Sequence, residues 1–369
     1  MTPNVVILCD EDRYANGVRP REISNVFSKA GANVTVTSSA TAMSEVGWYG
    51  VDRKWTFRTL SLLHRLVSFI FGVQGRINIL SRFGLGTLTV ASLLKLRAGL
   101  LEGYFSSRST DLIISESPLN QLLFTRSRLA TCQILDLPSP FGDELYFGGR
   151  LSDGGRRIIN ALERSGYESA DYLSFHWHTY TDYLVEQKYQ GANVINGSYG
   201  VRAKTSRAKF NPRPRLIYLG LLRGSWVNAP LLEQLCAMYE DIDIYGGPAP
   251  VGPLKKYYRG YAPDLNILAE YQAGLVTIST DPLRRRSFSS KHLEYISYGL
   301  PVLTPEWRRD SILDPSSIFY SKESFLEAVA ALTDPLAWVE LSNSSLKIAE
   351  DLTWDKALEP MLRAFNGFE

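Results

Sequence analysis

Cysteine and histidine are scarce. Three thiols, Cys9, Cys132 and Cys236, and four histidines are spread over 369 residues without metal-ligand spacing. That excludes a disulfide framework and leaves His176 and His178 as ordinary loop or helix positions rather than zinc ligands. Charge of one sign is missing too: 40 Lys and Arg stand against 38 Asp and Glu, a net charge of +2. No general attraction to nucleic acid follows. Long hydrophobic runs are absent as well. The most apolar stretch, Leu60 to Val73, is interrupted by His64 and Arg65 and falls short of the ~20 residues a spanning helix needs. The opening Asn4 to Asp10 reads as a buried parallel strand, not a cleavable leader. These absences predict reduced, buried cysteines in a cytoplasmic protein.

What is there is the composition of an ordinary folded protein, 45% hydrophobic and 21% charged, on a chain long enough for two cores. Apolar strands alternate with helical stretches. Val5 to Cys9, a helix over about Arg21 to Ala30, and Asn33 to Thr37 form a strand-helix-strand unit. Asp111 to Ser115, a helix after Pro118, Cys132 to Asp136, Tyr172 to Phe175 and Asn193 to Ile195 continue it. The rhythm lapses in the basic, proline-bearing stretch up to Arg215. It then restarts with Arg215 to Gly220, a helix near Pro230 to Met238, Ile242 to Tyr245, Leu265 to Tyr271 and Gly274 to Ser279. The fold class is therefore α/β with doubly wound, Rossmann-like sheets. Residues 1–200 are expected to form the first domain, 201–215 the linker and 216–353 the second domain, with 354–369 returning to the first.

The most informative stretch is Ser287 to Leu303. Ser289 and Ser290 are placed to cap a helix over about Lys291 to Tyr298, Gly299 to stop it in a left-handed conformation, and Pro301 to prevent its continuation. The start of a helix favours an anion, and Lys291 adds a point charge for a phosphate. Glu294, one turn on, suits the vicinal hydroxyls of a ribose. The other reading of Lys291 and Glu294 is a solvated ion pair on a helix face.

The wording Lys291, Glu294, Tyr295, Gly299, Leu300, Pro301 resembles the donor-site motif of GT-B glycosyltransferases, in particular family 4 and related bacterial polysaccharide enzymes. The resemblance implies two facing Rossmann-like domains with an interdomain cleft, and a Glu294 that holds the donor ribose. It departs from many family 4 enzymes eight positions earlier, where Arg286 stands in place of a second glutamate. Ile195 to Gly197 is similar to the closing strand of the first domain, and Gly220 with Arg223 to the glycine turn that grips a diphosphate. Gly246 matches the second glycine turn. Trp354 to Phe368 matches the helix that crosses back. The implied donor is a nucleotide sugar, UDP-linked, and the implied acceptor a saccharide or lipid-linked glycan in polysaccharide biosynthesis. Lys291 and the helix start would stabilise the leaving nucleotide, so no cofactor and no obligatory metal is expected. Backbone near Tyr261 to Pro263 would meet the base.

An inverting transferase needs a general base. Asp136, at the end of an apolar strand, is the leading candidate, with Glu116 and Asp10 behind it; its other reading is a cap. A retaining reaction would need no such base. Arg284 and Arg285 with Arg286 are either an exposed run or contacts for an acidic group. Residues 53–97 carry Arg58, Arg65 and Arg76 interleaved with Trp55, Phe57 and Phe69 and no acidic residue. That pattern suits either packing helices with basic faces or peripheral contact with an anionic membrane. A sugar-nucleotide epimerase of the same architecture and a non-catalytic nucleotide-sugar-binding protein stay as alternatives.

Overall fold

The computed structural model describes residues 2–9, 17–39, 41–42, 85–186, 193–202, 204, 206–222, 224, 226–262 and 264–367. Asp10, Arg223, Pro263 and residues 53–84 of the basic segment lie outside the described residues. The chain divides into two compact units, Met1–Ser198 with Leu358–Glu369, and Tyr199–Ala357.

In the first unit six parallel strands form one sheet. They are β1 (Asn4–Cys9), β2 (Asn33–Ser38), β3 (Leu112–Glu116), β4 (Cys132–Leu137), β5 (Tyr172–Phe175) and β6 (Asn193–Ile195), in the order β2-β1-β3-β4-β5-β6. Val5 to Cys9 and the whole of β4 are buried, as a strand covered on both faces requires. The order reverses between β1 and β3, and the carboxyl ends of the strands beside that reversal are where an open α/β sheet leaves room for a ligand. The helix expected after Pro118 is instead two 3-10 turns, Pro118–Asn120 and Leu123–Thr125. A side chain at Gly166 of the Asp153–Ser169 helix would place its Cβ 2.0 Å from the Gln121 carbonyl oxygen, so the backbone there lies directly against that helix.

The second unit holds β7 (Leu216–Leu219), β8 (Ile242–Tyr245), β9 (Tyr258–Gly260), β10 (Ala273–Leu275), β11 (Val302–Pro305) and β12 (Ser317–Tyr320). They are all parallel and run in the order β12-β11-β10-β7-β8-β9, so this sheet reverses between β7 and β10. Its core joins Leu216 and Tyr218 to Leu232 and Leu235 of the Ala229–Met238 helix. The stretch expected as a linker is held along this unit: Ala208 N–H donates to the Tyr298 carbonyl (2.9 Å), Gln272 Nε2 donates to the Lys209 carbonyl (3.0 Å), and the Phe210 and Trp338 rings lie 6.0 Å apart.

The last helix, Trp354–Asn366, passes into the first unit at Leu358, and Phe365 there meets Phe27 at 6.1 Å. All three cysteines are buried. Among the described residues no helix is long and apolar enough to cross a membrane, and no group of three or more His, Cys, Asp or Glu residues could hold a metal ion.

Candidate functional site

In the second unit the site is built by a tyrosine and a glycine that fix one helix against two strands. The Ser290–Ser297 helix lays the ring of Tyr295 on the bare backbone of Gly274 in β10, where an added Cβ would sit 2.1 Å from the ring. Its hydroxyl accepts the Leu219 N–H of β7 at 2.8 Å. One turn earlier on the same helix, Lys291 is thereby carried to the carboxyl end of β7. There Gly220 takes φ +127°, and a Cβ on it would lie 2.5 Å from Lys291 Cε, so the lysine stem crosses a backbone that only glycine leaves open. The Gly220 N–H donates to the Tyr245 carbonyl (2.7 Å), and Gly246, at φ +102°, abuts Gly220 so closely that its Cβ would be 3.1 Å from the Gly220 nitrogen. Two glycine turns, after β7 and after β8, thus meet beside one ammonium group.

Lys291 has no carboxylate partner among the described residues, and its Nζ lies 5.5 Å from the centre of the Tyr218 ring. Burial without a counter-ion depresses its pKa to about 8. Ser289 occupies the N-cap position, yet its side chain makes no capping hydrogen bond. The expected Ser289 side-chain cap is therefore absent, and Lys291 sits in the first turn of the helix. Gly299 ends the helix at φ +75°. Glu294 is half-buried: burial raises its pKa, opposed by the charges of Lys204 and Arg202. Of the arginine run, Arg284 is buried 3.6 Å from Asp281, Arg285 is exposed and Arg286 is half-buried.

Gly220→Ala tests the turn directly. The new Cβ should push the Lys291 stem aside and strain a left-handed position, lowering stability by about 1–3 kcal/mol. Unchanged urea unfolding would show that Gly220 does not set the lysine's position.

In the first unit a buried ionic cluster occupies the carboxyl ends of β3, β4 and β5. Arg19 donates to Asp136 in a fork, Nε to Oδ2 at 2.6 Å and Nη2 to Oδ1 at 2.9 Å, while its Nη1 donates to the Ser198 carbonyl at 2.6 Å. Both side chains are almost wholly buried. Nε2 of His176, the residue after β5, lies 3.6 Å from Glu116 Oε1 and 3.6 Å from Asp136 Oδ2. Burial opposes ionisation of Asp136, but Arg19 and His176 outweigh it and hold the carboxyl well below the usual carboxylate range. This geometry suits an anchor. A carboxylate with both oxygens committed to arginine and so weak an affinity for protons is a poor general base. Burial and the Arg19 charge push the His176 imidazole down, against the pull of Asp136. The sequence marks His176 as an ordinary loop or helix position, although the signal that picks out Asp136, a polar residue at the end of an apolar strand, applies to it equally.

No family model matches the sequence, and no curated protein matches it. Solved structures do. Sucrose-phosphate synthase from Thermosynechococcus elongatus superposes with a TM-score of 0.64 at 12% identity, over 100% of this chain and 99% of that one. The GtfA/B complex gives 0.54 at 14% identity over 74% of this chain and 60% of that one. TarM of S. aureus, in a complex containing UDP, gives 0.55 at 11% over 73% and 59%. This chain has the GT-B fold. It spans about 60% of the length of GtfA and TarM chains. In GT-B terms the Lys291 site belongs to the C-terminal Rossmann-like unit and the Arg19 cluster to the N-terminal one.

Proposed function

We propose that the protein is a glycosyltransferase of the hexosyl-transferring kind, taking its sugar from a nucleoside diphosphate donor and passing it to a saccharide or lipid-linked glycan. The observation that carries this reading is Lys291: a half-buried cation without a counter-ion, set between two glycine turns and a helix start at the sheet reversal. A diphosphate supplies the missing charge there, and its departure with both phosphates ionised is stabilised by the same groups. Glu294, one turn deeper, is placed to accept two ribose hydroxyls. UDP is the favoured nucleotide, since TarM and the pneumococcal O-GlcNAc transferase GtfA are both seen with it. On the acceptor side Glu116 and His176 stand as the proton-handling candidates, with Asp136 orienting His176 rather than acting as base.

The test is a mass-spectrometric screen of UDP-, GDP- and ADP-sugars against saccharide and lipid-linked acceptors. The expected result is release of one nucleoside diphosphate that depends on acceptor and yields a heavier glycan. An epimerised nucleotide sugar formed without acceptor would replace this reading by an epimerase, and tight binding with no turnover by a binding protein.

A further inference from the structure

The helix that carries Lys291 is gripped on a second side. Tyr295 ties its second turn to β7 and β10, but the first turn, where Lys291 sits, has no side-chain cap from Ser289. An uncapped helix start frays more readily than a capped one. A half-buried ammonium keeps its place only where that turn is fixed by something else. His292, the residue after Lys291, makes a side-chain hydrogen bond out of the same turn. Its imidazole is buried, and Nε2 lies 3.0 Å from the hydroxyl oxygen of Ser316, which is also buried, in the Asp314–Ser316 turn leading into β12.

Ser316 decides the roles in that bond. Its hydroxyl proton goes to the Leu313 carbonyl at 2.7 Å, so it offers His292 a lone pair and the imidazole donates from Nε2. The acceptor is itself held firmly. Asp310 Oδ1 accepts the N–H groups of Ile312 (3.0 Å) and Leu313 (3.3 Å), the Asp310 N–H donates to Asp314 Oδ1 (2.7 Å), and Arg308 Nη2 lies 3.4 Å from Asp310 Oδ2. Burial and the Arg308 charge push the His292 imidazole down to about 3, against the pull of Asp310. It therefore stays neutral around pH 7 and keeps one tautomer. The contact is a fixed strut between the first helical turn and the segment after β11.

We infer that His292 is a positioning residue for the donor site: through Ser316 it pins the first turn of the helix and so holds the Lys291 ammonium beside the Gly220 and Gly246 turns. The role in donor binding rests on the glycosyltransferase reading, whereas the placement of Lys291 by His292 does not. A group held ready in this way raises affinity, because the ligand does not have to order it.

Competitive labelling with acetic anhydride over a range of pH, read by mass spectrometry on the peptide containing Lys291, follows the lysine proton without any nucleotide. Calorimetric titration with UDP follows binding. His292→Leu keeps bulk and loses the donor, Ser316→Ala keeps the imidazole and loses the acceptor, and His292→Gln returns an amide N–H. In wild type Lys291 should titrate near 8, its depression arising from burial alone. In His292→Leu and in Ser316→Ala the titration should move up towards the ordinary 10.5 as the ammonium escapes into water. UDP should bind both about tenfold more weakly. His292→Gln should restore the lysine titration and the affinity together. A Lys291 titration unchanged in whichever of the two disrupted variants folds, even with a lowered unfolding temperature, would make the bond purely structural and overturn the inference. A glutamine variant that behaves like the leucine one would do the same. Wild-type protein that binds no UDP would sink the donor reading and leave the labelling to decide on His292.

Discussion

Lys291→Met is expected to weaken UDP binding by about 10- to 150-fold, corresponding to the 1.5–3 kcal/mol typical of a hydrogen bond to a charged group. Methionine keeps an unbranched stem to cross Gly220 and pack near Tyr218, so the change removes the charge and little else. The same substitution should raise the unfolding midpoint. A folded-state pKa of about 8, against an ordinary 10.5, means that the unfolded chain binds the extra proton more readily between those values. Stability therefore rises as pH climbs from about 8 towards 10.5, and below 8 the buried ammonium is a steady cost. UDP affinity runs the other way. It should hold steady below about pH 8 and fall above it as free Lys291 loses its proton, whereas Lys291→Arg should remove that fall because guanidinium stays charged. Calorimetric titration with UDP between pH 6.5 and 9.5, alongside thermal unfolding, reads both. Equal UDP affinity in wild type and Lys291→Met would remove the lysine from the donor site.

The strands are legible in the sequence because they are buried on both faces. Val5 to Cys9, Cys132 to Asp136 and Tyr172 to Phe175 appear as short apolar runs bounded by turns, and the structure places strands on each; Ile242 to Tyr245 is also a strand, but one whose burial alternates, with Asp243 and Tyr245 half-buried. The Ser290–Ser297 helix is equally plain, since Gly299 and Pro301 mark its end. Harder to read is Pro118 to Thr125, where a proline-led start favours a helix and only the crowding of Gly166 onto Gln121 limits it to 3-10 turns. The edge strand Ser317–Tyr320 is only partly buried, so its alternation is weak.

At the site, the helix that carries Lys291 is legible because its start and its stop signals lie close together in the chain, whereas its contact with Gly220, 71 positions away, is not. Nor is the partner of Asp136. Arg19 is 117 positions away and approaches from a helix on the other side of the sheet reversal. Nothing in a single sequence links the two. Separation in sequence likewise hides His176 beside Glu116, 60 positions away.

That unread partner sets the final expectation. Arg19→Met and Asp136→Asn should each destabilise the protein by about 3–5 kcal/mol, because each leaves the other group buried without its counter-charge. The double change Arg19→Met, Asp136→Leu should recover most of the loss, since an apolar pair needs no compensation in that position. Acid should act in the same direction as Asp136→Asn. A carboxyl held below its ordinary value of 3.8 contributes stability above that pH, and the contribution drains as pH falls through 3.8 towards the folded value. Urea unfolding of the four proteins at pH 7 and of wild type down to pH 3 measures both effects. Were Asp136 instead the catalytic base, Asp136→Asn would unfold at the wild-type midpoint and lose only turnover. A midpoint that drops in both single variants and returns in the double one assigns the aspartate to the architecture beneath His176 and Glu116.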